Sequence, residues 1–210
     1  MNESSALQWE FIALADWDPV LGEDPHLRRY AAVRDKLHSE EWGAALDDLE
    51  ALAHEGSVMS MLLIADAMRT GWLYRQDLEA AKAWYAVAAE SGALRGWFGL
   101  GLTHLKSEQY DEAVRYLSMA ADAGYPPALN ALAGVYFRGD LGARDLARAA
   151  RFWSDAVEAG HVSAKVNYNF WRARGRFGAL QIVPGIANYV AARLEQDRIR
   201  SIPQEFDRLR

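Results

Sequence analysis

Four glycines at matched positions constrain this chain more than any other feature. Gly56, Gly92, Gly124 and Gly160 end the tripeptides His54-Glu55-Gly56, Glu90-Ser91-Gly92, Asp122-Ala123-Gly124 and Glu158-Ala159-Gly160, at separations of 36, 32 and 36 residues. Periods of this length mark arrays of helical hairpins. Counting back from each glycine gives Trp42, Ala45, Leu49 and Leu52; Leu78, Ala81, Trp84, Tyr85 and Ala88; Tyr110, Ala113, Tyr116, Leu117 and Ala120; and Leu146, Ala149, Phe152, Trp153 and Ala156. Steps of three, four and seven place each set on one helical face. Each glycine fits the position just past a helix end, where the backbone turns left-handed and a Cβ would be strained. Asp77 and Asp145 stand where amino-terminal caps belong.

A second pattern runs forward from each glycine. At offsets four, eight and twelve stand Ser60, Ile64 and Met68; Gly96, Leu100 and His104; Ala128, Leu132 and Tyr136; and Ala164, Tyr168 and Arg172. A small residue followed by two larger ones on one face lets two helices approach and interlock. Arg69-Thr70-Gly71 and Arg138-Gly139-Asp140-Leu141-Gly142 turn the chain between the two helices, whereas Lys106-Ser107-Glu108-Gln109 makes the middle unit four residues shorter. Composition agrees: 37 Ala and 24 Leu in 210 residues, with no proline between Pro25 and Pro126, favour helix throughout. A hairpin cannot bury its apolar face alone, so neighbouring units must stack.

The residues Tyr136, Gly139, Gly142, Asp145, Trp153, Ala156, Gly160 and His161 resemble a Sel1-like repeat, a relative of the tetratricopeptide repeat, and Asp77, Trp84, Tyr85, Ala88 and Gly92 form a similar run. The resemblance implies an all-α fold, a right-handed α-solenoid of stacked antiparallel hairpins, capped by helices at both ends. It divides the chain into an amino-terminal cap (1–40), a solenoid (41–176, with complete units near 57–92, 93–124 and 125–160) and a capping helix and tail (177–210). The family's glycine after the offset-eight residue is kept only as Gly101, being Ala65, Ala133 and Asn169 elsewhere, so looser helix contacts are expected there. Arg172, where a core aromatic belongs, marks the last unit as a terminal cap.

At the ends, residues 4–15 read as a short helix carrying Leu7, Phe11 and Leu14, and Asp24-Pro25 is expected to open a helix to about Leu37 that pairs with 41–54. A helix from about Gly185 to Arg200 is amphipathic and either caps the last repeat or folds back into the solenoid groove. The start of the sequence lacks the basic segment of a signal peptide, and Phe177–Ala192 is too interrupted by Gln181, Pro184, Gly185 and Asn188 to span a bilayer. A cytoplasmic protein is expected.

The motifs that carry chemistry are missing from the sequence. No cysteine is present, which removes thiolate nucleophiles and cysteine-bound metals. Five scattered histidines have no ligand spacing, and Gly96, Gly99 and Gly101 sit inside a helix rather than between strand and helix, which excludes a dinucleotide fingerprint. The expectation is a non-enzyme without cofactor or metal. Net charge runs from −9 over residues 1–56 to −2 over 57–160 and +5 over 161–210. An acidic chain with a split basic tail is a poor nucleic-acid binder.

In solenoids like the resembled family, the face opposite the core stripe lines a concave groove. Its residues here include Asp66, Arg69, Arg95, Phe98, Leu102, Asn130, Phe137 and Phe170, apolar anchors with a few polar fixers that suit a helix or extended segment of another protein. The leading expectation is therefore a monomeric adaptor that binds a protein or peptide partner, not a membrane. Two alternatives stand beside it: an immunity protein whose acidic amino-terminal third meets a basic toxin, and a scaffold that self-associates head to tail.

Overall fold

A computed structural model describes residues 18–39, 41–178 and 182–201. The expected helix at 4–15 lies outside them. The described residues form eleven helices: α1 (Pro19–Gly22), α2 (Leu27–His38), α3 (Trp42–His54), α4 (Val58–Thr70), α5 (Leu78–Glu90), α6 (Leu94–Lys106), α7 (Tyr110–Asp122), α8 (Pro126–Arg138), α9 (Leu146–Glu158), α10 (Val162–Ala173) and α11 (Ile182–Ser201). Among the described residues the fold is all-α, a solenoid of antiparallel hairpins. No helix among them is long and apolar enough to cross a membrane. The chain divides into two compact units, Met1–Ala128 and Leu129–Arg210, with the division falling inside α8.

Hairpin ends follow the glycine arithmetic. Gly56, Gly92, Gly124 and Gly160 adopt φ of 100°, 91°, 88° and 83°, and the next residue's N–H in each case reaches back to Leu52, Ala88, Ala120 or Ala156 across the helix end. Asp77 accepts from the N–H groups of Glu79 and Ala80 at 3.1 and 3.0 Å, and Asp145 from Arg148 at 2.8 Å. The short turn of the middle unit lacks a glycine, and Glu108 takes φ 58° in its place.

In the first unit α2 pairs with α3, α4 with α5 and α6 with α7, and successive hairpins stack through α3 on α4 and α5 on α6. The interior is built from the counted-back positions: Ala45, Leu49, Leu52, Ala81, Tyr85, Ala88, Ala113, Leu117 and Ala120 are buried. Trp42 departs from the pattern, since it is 41% exposed and meets Trp72 edge-on. Helix α6 packs closely on its neighbours. A Cβ at Gly96 would stand 2.5 Å from the Ala89 nitrogen, and one at Gly101 2.6 Å from Leu117 Cγ. Ala65 fills the equivalent position in α4 and is itself fully buried.

Two expectations at the chain ends need correction. Helix α2 begins at Leu27 rather than at Asp24-Pro25; the Asp24 carboxylate accepts the His26 N–H at 2.8 Å and reaches across to α4, accepting from the Met59 N–H and the Ser57 hydroxyl, both at 2.9 Å. Helix α11 begins at Ile182 rather than Gly185, and Pro184 stands in its first turn, where the missing N–H would have had no helical partner.

In the second unit α8, α9 and α10 close around Ala133, Ala149, Trp153, Ala156 and Ala164, with Tyr136 stacked on Phe152 at 5.6 Å. Asn169 is satisfied inside α10 through the Lys165 carbonyl and the Arg172 guanidinium, which also lies over the Tyr168 ring. Helix α11 packs along α10.

His161 caps α10 by accepting the Ala164 N–H on Nδ1 at 3.0 Å, and burial pushes its imidazole down from 6.5 to about 4. The neutral ring is the folded form, so this contribution is complete above the unfolded value and is lost as pH falls toward the folded one. Between pH 6.5 and about 4 the second unit should lose about 2–3 kcal/mol through this group alone. A His161→Asn variant keeps an acceptor at the cap. Denaturant melts should show it close to the parent at neutral pH and more stable than the parent at about pH 4.5; equal acid sensitivity in both proteins would remove His161 as the cause.

Candidate functional site

The face of α4 and α6 opposite their core stripe is organised by one carboxylate. Asp66 on α4 accepts from Arg95 Nη2 on α6 at 2.6 Å and from Arg69 Nη2 one turn along its own helix at 3.0 Å. The Tyr85 hydroxyl, arriving from α5, donates to the same carboxylate, and Arg69 Nε donates to that hydroxyl at 3.1 Å. Tyr85 reaches this place by passing under α6 at Gly99, where a Cβ would stand 2.2 Å from the ring. Burial opposes ionisation of Asp66, but the Arg95 and Arg69 charges outweigh it and hold its carboxyl below the ordinary range.

The amino-terminal segment locks this arrangement from the edge. Asp18 accepts the Arg95 backbone N–H at the start of α6 at 2.8 Å, while Asp24 holds the start of α4. Leu21, between them on α1, is buried. Burial raises the Asp18 carboxyl above its usual value, with the backbone N–H of Arg95 opposing it. Nothing in the sequence announced this strap, since Asp18 and its partner lie 77 residues apart.

The groove residues thus divide. Asp66 and Arg95 are 6% and 4% exposed and Arg69 is mostly covered, so their charges are committed to one another rather than offered as polar fixers. Phe98 and Leu102, farther along α6, are half-buried, with Phe98 against Tyr125 at 5.3 Å. In the second unit Asn130 accepts from Trp153 Nε1 at 3.0 Å and from Asn167 at 3.2 Å. Phe137 is wedged between Trp153 and Trp171 at 5.3 and 4.4 Å. Phe170 lies against Tyr189 of α11 at 5.6 Å, and α11 also covers Ser163 through Gln196 and Ala173 through Gly185. Helix α11 thus packs along the side of α10 that carries Ser163, Phe170 and Ala173.

A second concavity of about 510 Å³ opens between α5, α6 and α7, walled by Trp97, Leu100, His104 and Tyr116. Trp97 and His104 both stack on Tyr116, at 6.0 and 5.2 Å, which fills most of the ring surface a ligand would use. Among the described residues no group of three or more His, Asp or Glu is placed to hold a metal ion.

Solved structures reproduce this architecture. A Sel1 repeat protein from Oxalobacter formigenes superposes with a TM-score of 0.64 at 17% identity, over 79% of this chain and 69% of that one. The chain has the Sel1-like repeat fold. A Sel1 repeat protein from Klebsiella pneumoniae subsp. pneumoniae matches over 88% of this chain and 98% of its own, with a TM-score of 0.57 and 16% identity. The protective antigen c5321 of uropathogenic Escherichia coli, which has the same Sel1-like repeat (SLR) fold, gives 0.56 at 21% identity, and this chain spans 41% of it. No family model matches the sequence, and no curated protein matches it. The likeness is one of shape at low identity.

Proposed function

We propose that this chain is a non-catalytic protein-interaction module that takes a helical or extended segment of another protein along the α4–α6 face. The observation that carries the reading is the pair Phe98 and Leu102: two half-buried apolar side chains in step on one helix, beside the Asp66–Arg95–Arg69 network. A rigid network supports such anchors better than mobile charges do, because less side-chain entropy is lost on binding. Asn130, Phe137 and Phe170 serve as supports in this reading rather than as contacts. Its setting is the cytoplasm, which a cysteine-free chain suits.

The immunity reading would place the contact on the acidic amino-terminal third. Two of its acids are paired within the segment, Glu55 with Arg29 and Asp48 with Lys36, so a basic partner would compete there with cations already in place. Capture from native lysate separates the readings. Phe98→Glu with Leu102→Glu should lose the captured protein at least tenfold while keeping the parent's helicity, and charge reversal at exposed Asp47 and Glu50 should leave capture intact. Retention by the first variant with loss by the second would overturn the proposal in favour of a charge-led contact.

A further inference from the structure

Helix α11 is apolar on two sides. Its inner side, with Gly185 and Ala192 buried and Tyr189 half-buried, is occupied by α10, and Lys165–Glu195 at 2.6 Å ties the pair together. Its outer side carries Val183, Ile186, Val190 and Leu194, exposed at 76%, 51%, 50% and 66%. A helix whose outer side met only water would normally be polar there. This one has no charged residue from Phe177 to Ala192.

The outer residues are ordered. Val183, Ala187, Val190 and Leu194 follow one another at steps of four, three and four, the spacing of a coiled-coil seam that packs against another helix. We propose that this seam pairs with the same seam of a second copy, antiparallel, about a two-fold axis between Asn188 and Tyr189.

The sequence of the seam favours that occupant. In this register Val183 meets Leu194 of the second copy and the small Ala187 meets Val190, so every seam position faces an apolar side chain. Arg193 then lies opposite the neutral Pro184 and beside Ile186, and it is already paired with Asp197 of its own helix at 3.6 Å. A parallel pairing would set Arg193 against Arg193 and leave a gap between two Ala187 side chains. The two-fold contact is isologous and closes on itself, unlike a head-to-tail contact of acidic and basic ends. One helix pair lies at or below the low end of the roughly 1,200–2,000 Å² of specific interfaces, so the dimer forms at concentrations on the order of micromolar and above.

Sedimentation of the full chain over a concentration series tests this. The expected result is a monomer–dimer equilibrium that survives high salt and disappears in Val190→Glu with Leu194→Glu, substitutions at exposed positions that leave α10 packing intact. A monomer at every concentration, a dimer that high salt dissolves, or a dimer unchanged in the variant would each overturn it. The register is read separately, because a chain without cysteine gives an unambiguous disulfide signal. Mixing Ala187→Cys with Val190→Cys under mild oxidation should yield mainly the mixed dimer, whereas homodimers of each variant would indicate parallel pairing and defeat the proposed geometry.

Discussion

Asp66→Ala should cost the first unit about 3–5 kcal/mol, measured as a fall in the denaturant midpoint at neutral pH. The carboxylate neutralises two guanidinium groups, one of them fully covered, and accepts the Tyr85 hydroxyl. Removing it leaves Arg95 and Arg69 facing each other in a poorly hydrated place, which costs far more than a surface pair is worth. Asp66→Asn should fall between, because an amide keeps an acceptor but no charge. The pH dependence has a fixed sign. A carboxyl held below its ordinary range contributes its full stability above the unfolded value and loses it as pH falls through the lower, folded one. The parent should therefore lose its advantage over Asp66→Asn in acid. A loss under 1 kcal/mol for Asp66→Ala would mean that the guanidinium groups find water, and that the network does not hold α4 to α6.

Gly99→Ala should destabilise by about 2–4 kcal/mol, although alanine is the better helix former by roughly 1 kcal/mol. The added Cβ would stand 2.2 Å from the ring of Tyr85, which is fully buried and cannot retreat without pulling its hydroxyl from Asp66. Overpacking and a lost buried hydrogen bond together exceed the propensity gain. Gly43 in α3 is the internal control. It is exposed, nothing lies within 4 Å of its built Cβ, and Gly43→Ala should raise stability by up to about 1 kcal/mol. Thermal melts of the two variants should thus move in opposite directions. A shift of the same sign in both would show that backbone propensity, not the Tyr85 contact, governs α6.

These two results also show where the sequence is informative. Local signals carried the hairpins: positive φ at Gly56, Gly92, Gly124 and Gly160, and caps at Asp77 and Asp145, depend on residues a few places apart. Asp66, Arg69 and Arg95, set on one stripe by their spacing, do meet across α4 and α6. Their occupation was not legible. Whether Asp66 meets a partner or Arg95 depends on Tyr85 threading beneath α6, and the signal for that was the extra mid-helix glycine at position 99, outside the repeat pattern. Phe137 and Phe170 look like anchors by spacing, but tryptophans at 153 and 171 and Tyr189 were nearer. The strap left no trace, because a carboxylate bound to a distant backbone N–H has no periodicity.

That strap changes how the first unit folds. A repeat array with contacts only between neighbours can nucleate anywhere and grow one hairpin at a time. Asp24 and Asp18 instead close loops to Met59 and Arg95 across 35 and 77 residues, with Leu21 buried between them. Each closure carries a loop entropy that a contact between neighbouring hairpins does not. The hairpins α2 to α6 are therefore expected to unfold as one cooperative block, and a hairpin deleted between the two aspartates' partners would leave a clasp with nothing to fasten.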